Sequence, residues 1–164
     1  MGFVKPALAV SFLAGTIAGG TVAQAQDSVA AKVRLSVNDT NAVGAVGDAL
    51  LSLEEAVRLA NGSLSMDKLS PAERTRIAGS PGPKSRDLIE LPATAKIRLN
   101  QDQTLSPLVG NDGDTIDGKG ASLEPEKDGK DIGLQISSSD FALRNFKGRG
   151  FATIVNVDFG GRAL

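Results

Sequence analysis

Apolar and polar residues alternate along residues 31–37. Val33, Leu35 and Val37 fall on one side, and Lys32, Arg34 and Ser36 on the other. A period of two predicts a strand with one buried face, and Asn38-Asp39-Thr40-Asn41 reads as the turn that ends it. The period then changes. Leu53, Ala56, Val57 and Ala60 recur at i, i+3, i+4 and i+7, a single helical stripe. Ser52 and Glu55 supply a capping box and Asn61-Gly62 a left-handed stop, so a helix is predicted from Ser52 to Asn61. A second, more polar helix is predicted over residues 71–78. Ser70 is its N-cap, Pro71 opens its first turn, Glu73 closes the box and Gly79 terminates it. Ser80-Pro81-Gly82-Pro83 then predicts a loop.

From Asp87 onward the helical period does not return. Residues 88–91 form a β-type run that stops at Pro92, and in residues 96–99 Ile97 and Leu99 oppose Lys96 and Arg98. Residues 105–109 follow, interrupted by Pro107, which suits a corner better than a central strand. Short runs at 115–116, 134–136, 141–143 and 154–157 then alternate with polar corners at 111–114, 117–120, 137–140 and 147–150. Their recurrence, at intervals of roughly 19 to 27 residues, suits a coil whose strands stack on those of the next turn. An antiparallel sandwich or meander also spaces short strands closely, and Asp-Gly pairs would suit its hairpins. The pattern alone leaves both open.

Composition narrows the chemistry. The chain contains no cysteine, so a disulfide framework and a lipid-modified thiol are excluded. Histidine, tryptophan and tyrosine are also absent. Their absence excludes His-based acid–base work, Ser-His-Asp triads and histidine ligation of zinc, and it weakens any carbohydrate-stacking platform. A formal net charge of −1 gives no electrostatic case for nucleic acid or anionic lipid. Residues 1–25 read as a signal peptide. Lys5 is followed by an apolar stretch at 7–18, the Gly19-Gly20 break and an Ala23-Gln24-Ala25 cleavage pattern. That stretch is shorter than the roughly 20 residues of a membrane span, so no span is expected after processing. The expected location is secreted, periplasmic or at the cell surface.

Two clusters carry candidate chemistry. Asp112, Asp114 and Asp117 crowd together and form a candidate calcium site, because hard cations collect carboxylate and carbonyl oxygens. The spacing fits neither an EF-hand loop nor a calcium-binding nonapeptide repeat, and Asx turns around Gly113 and Gly118 are the preferred reading. Asp140, Arg144, Lys147 and Arg149 are candidate substrate-binding residues, lining one outer face together with Asp158. A solvated face of alternating charge is the plainer account. No catalytic constellation is identified.

Residues 47–57, GDALLSLEEAV, with Ala60-Asn61, resemble the leading CSLREAI…AN segment of bacterial exported right-handed parallel β-helix proteins. Leu51 stands where that motif has Cys, and Glu54 where it has Arg. Residues 114–121, DTIDGKGA, and 137–150 are similar to coil segments of pectin-lyase-like chains. The resemblance implies a mainly-β, right-handed parallel β-helix of about three coils with an N-terminal capping α-helix. It divides the chain into a signal peptide (1–25), a strand, capping helix and surface insertion (26–86), and coils (87–164). With so few coils and no terminal cap, the expectation is an N-terminal fragment, or self-association through an open last coil. The implied function is an exported scaffold, or a module that binds extracellular polysaccharide or a cell-surface component. The alternatives are the front of a pectate-lyase-like lyase or hydrolase, with calcium as its cofactor, and the front of an adhesin or autotransporter passenger.

Overall fold

The computed structural model describes residues 33–109, 113–128, 130–137 and 140–157. The segment at 1–25 expected to be a signal peptide, Asp112 and Asp158 lie outside the described residues. The first strand, β1 (Val33–Ser36), buries Val33 and Leu35 and turns Arg34 outward, as its alternation predicts. Helix α1 (Leu53–Ala60) follows. The Ser52 hydroxyl accepts the Glu55 amide at 3.2 Å, and the Glu55 carboxylate accepts the Ser52 amide at 2.9 Å. At the other end the Gly62 amide bonds the Leu59 carbonyl and the Ser63 amide bonds the Arg58 carbonyl, with Gly62 at φ +73°. Both ends are thus capped, and the first-turn amide of Glu54 finds the more distant Ala42 carbonyl at 2.8 Å.

Helix α2 (Pro71–Arg74) repeats the N-terminal device with Ser70 and Glu73 but ends four residues before the predicted Ala78. The Arg76 carbonyl accepts the Ser36 amide at 2.9 Å, and β2 (Ile77–Ala78) pairs antiparallel with β1. The free edge of β1 outbids another helical turn.

The remaining strands are β3 (Asp87–Glu90), β4 (Lys96–Leu99), β5 (Thr115–Asp117), β6 (Ser122–Pro125), β7 (Lys130–Ile136), β8 (Ala142–Arg144), β9 (Lys147–Gly148) and β10 (Phe151–Val157). They form a five-stranded sheet ordered β2-β1-β3-β5-β8, a three-stranded sheet ordered β4-β6-β9, and a separate β10-β7 pair. Apart from β1 with β2, these pairings run parallel. Register places Leu35, Ile89, Ile116 and Leu143 in one row of the first sheet, and Ile97 and Leu123 in one row of the second. All but Leu143 are fully buried, each stabilised by roughly 1.5–3 kcal/mol of transfer free energy.

This architecture corrects the expected mainly-β, right-handed parallel β-helix of about three coils. The described residues form a mixed α/β arrangement of three separate short sheets, one of mixed direction, with two α-helices and a 3-10 turn at Met66–Lys68. Nor is α1 a one-faced lid, because seven of its eight residues are buried, Glu54 and Glu55 among them. Residues 105–109 form only an isolated parallel bridge, Leu108 with Ile136, in which the Leu108 amide bonds the Gln135 carbonyl at 2.9 Å and the Leu108 carbonyl accepts the Ser137 amide at 2.8 Å. Side chains of α1 and its C-cap take the polar groups on either side. Glu54 accepts the Ser106 amide and hydroxyl, each at 2.6 Å. Asn61 donates to the Pro107 carbonyl and accepts the Val109 amide, both at 2.9 Å. The predicted corner at 147–150 also shifts: Lys147 and Gly148 become β9, and the turn falls on Gly150 at φ +74°. Among the described residues no helix is long and apolar enough to cross a membrane.

Candidate functional site

The two larger sheets present different outer faces, and the difference locates the site. On the five-stranded sheet the charges are spent on one another. Glu90 is bridged by Arg34 at 3.5 Å and by Lys119 at 2.9 Å, while Arg144 holds Asp117 at 3.3 Å. Burial alone would raise the Asp117 pKa. The Asn145 side-chain amide, the Lys119 backbone amide and the Arg144 and Lys119 charges outweigh it, and hold the carboxyl below its usual range.

On the three-stranded sheet cations are in excess. Lys96 sits opposite Ser122, and Ser122 opposite Lys147, while Arg98 sits opposite Glu124. Arg149 continues the alternation past Gly148, and its amide bonds the Leu123 carbonyl at 3.2 Å. Ile97 and Leu123 point into the core, so the intervening residues must point out. Lys96, Arg98, Lys147 and Arg149 are all exposed. Glu124 accepts the Ser122 hydroxyl at 2.8 Å and lies 3.9 Å from the Lys96 ammonium. Arg98 is anchored through its backbone, because its amide bonds the Thr40 carbonyl at 2.7 Å and its carbonyl accepts the Ala42 amide at 2.6 Å. Beside it lies a cavity of about 210 Å³ lined by Arg98, Glu124, Pro125 and Glu126. Such a face can hold an anion-bearing ligand without a metal or a histidine.

The residues singled out from sequence are dispersed. Asp114 is buried and accepts the Asp87 amide at 2.9 Å. Asp117, three positions on, lies on the opposite side of β5 with Asn145 and Arg144. An odd offset along a strand reverses the side-chain direction, so these two aspartates do not share a cation. Among the described residues no group of three acidic, histidine or cysteine side chains could hold a metal. Asp140 packs against Gly113, where an added Cβ would lie 3.1 Å from its Oδ2 atom. Arg144 belongs to β8 of the five-stranded sheet, whereas Lys147 and the neighbouring Arg149 belong with β9 of the three-stranded one. The candidate substrate face therefore divides. Lys147 and Arg149 gain Lys96 and Arg98 as neighbours, a pairing that sequence reasoning missed. Its one signal was the polar phase of residues 96–99.

No protein-family model, curated protein or solved structure matches the chain.

Proposed function

We propose that this chain is an exported, non-catalytic module that binds an acidic extracellular polysaccharide on the outer face of β4-β6-β9. The observation that carries the reading is the convergence of Lys96, Arg98, Lys147 and Arg149 on one face, against the carboxylates of Glu124 and Glu126 beside Arg98. Adjacent strands lie about 4.8 Å apart and alternate residues about 6.6 Å apart, so the cations of β4 and β9, with β6 between them, form a lattice of about 9.6 by 6.6 Å that an extended polyanion can cross. Guanidinium groups suit carboxylates, which they can grip through two parallel hydrogen bonds. The leader pattern at 1–25 supports export.

Affinity electrophoresis in polygalacturonate, with a neutral glucan as control, tests the reading. Retardation is expected in the acidic polymer only and should weaken with salt. A Lys147→Ala/Arg149→Ala variant should lose affinity by about tenfold or more. Equal retardation in the neutral polymer, or an unchanged double variant, would overturn the proposal. The Arg98 cavity, which sets a guanidinium beside Glu124 and Glu126, favours a second reading as part of a polysaccharide lyase or hydrolase. Release of unsaturated uronate by the purified chain would select the lyase, and release of saturated reducing ends the hydrolase.

A further inference from the structure

Two buried glutamates carry an inference that the binding face does not use. Glu55 at the start of α1 and Glu73 at the start of α2 are 1% and 0% exposed. Each closes its own capping box and each meets the other. Glu55 Oε2 accepts the Ser52 amide at 2.9 Å and the Ser52 hydroxyl at 2.8 Å. Glu73 accepts the Ser70 amide with one oxygen and the Gly47 amide, at 3.1 Å, with the other. The remaining oxygen, Glu55 Oε1, is buried without a hydrogen-bond partner, and the Glu73 carboxyl lies beside the Glu55 side chain. Two neighbouring buried carboxylates cannot both ionise without repulsion, whereas a single proton shared between them removes it.

The surrounding charges do not neutralise the pair. Asp39, near Ser52, bonds Asn41; Asp48 accepts the Leu50 amide; Glu54 is taken by Ser106. Lys68 pairs with Asp67, and Arg74 donates to the Asp67 carbonyl. On the strands, Arg34 pairs with Glu90. Among the described residues no ion pair reaches Glu55 or Glu73.

We propose that Glu55 and Glu73 form a proton-operated latch, holding residues 65–78, and with them β2, over the edge of β1. The mechanical link is short. Glu73 sets the N-terminus of α2, and two residues after its end the Arg76 carbonyl receives the Ser36 amide. Losing that cover would open a strand edge to pairing with another chain. Titration supports the direction. Burial raises the Glu55 pKa against the Ser52 bonds, and the Glu73 carboxyl raises it further. Glu73 is lowered, because its bonds from Ser70, Gly47 and Glu55 outweigh burial. A raised folded pKa means stability that is present in acid and lost as pH climbs through it, while the lowered partner loses its contribution only in stronger acid. The latch therefore closes between the two and loosens on the alkaline side.

Amide hydrogen exchange of the full chain, expressed as protection factors between about pH 5 and pH 9, tests this. Protection at Ser36 and residues 76–78 should fall by about tenfold or more across that range. In Glu55→Gln the amide oxygen keeps the Ser52 bonds and the amide nitrogen donates to Glu73, so protection should stay level. Parallel pH profiles for the two proteins would overturn the latch. Should the variant fail to fold, carbon-detected titration of the wild-type carboxyls decides. Two widely separated steps support the shared proton, and ordinary glutamate titration at both positions overturns it.

Discussion

The row Leu35-Ile89-Ile116-Leu143 passes through both halves of the molecule, and its two ends are treated differently. Leu35, Ile89 and Ile116 are completely buried, while Leu143 is only half-buried. Beyond Ile136 no described residue is buried, including every position of β10. The sequence pattern is equally strand-like at both ends. The difference lies in what covers them. At the first end α1 packs against β3, and Glu54 and Asn61 fasten residues 106–109 to it. At the last, β8, β9 and β10 each pair with a strand on one side only. Stacking half-buries a strand, and a covering element must do the rest.

The largest effect that separates the two ends should come from truncating one aliphatic strand residue at each. Ile116→Ala is expected to cost about 2–5 kcal/mol, since it opens a cavity that fixed neighbours cannot fill. Val155→Ala, in the half-buried β10, should cost about 1 kcal/mol or less. Urea unfolding midpoints of the two variants measure the gap, and equal losses would dissolve the contrast. A middle-sized effect tests the cover itself. Glu54→Ala leaves the Ser106 amide and hydroxyl without their acceptor, at about 1–3 kcal/mol. Exchange protection should then drop at Ser106, whereas β10 amides stay as they were.

The smallest effect belongs to the outer face. Asp117 has a depressed folded pKa, so its contribution is present above the ordinary carboxylate range near ~3.9 and disappears as pH falls through the folded value. Asp117→Asn should cost less than about 1 kcal/mol at neutral pH and nothing in acid. Denaturation curves at both pH values check the sign.

Local signals proved sufficient wherever the relevant partners lie within a few residues. The ends of α1 were legible because Ser52, Glu55, Asn61 and Gly62 bond within their own turns. The strand at 96–99 was legible from alternation alone. The end of α2 was not, because Ile77 suits a helix stripe as well as a strand and β1, far back in the chain, claimed it. Residues 105–109 were readable as extended, but their partner Glu54 lies 52 positions away from Ser106. At the candidate site, Lys147 and Arg149 were visible as exposed cations. Their union with Lys96 and Arg98 depends on β6 lying between them. Asp114 and Asp117 show the same limit from the other side. Asp117 accepts the Lys119 amide two positions on, the Asx turn that the local sequence predicts, while a period of two sends the Asp114 and Asp117 side chains to opposite faces.

Periodicity, caps and turn residues act over one or two turns of chain, so the order of helix and strands was already written into the amino-acid string. Which strand edges meet, which charges neutralise one another and which are left to face a ligand were settled by packing alone. Those outcomes come from competition among distant segments for the same hydrogen bonds and the same buried volume, and no short window of residues contains both competitors.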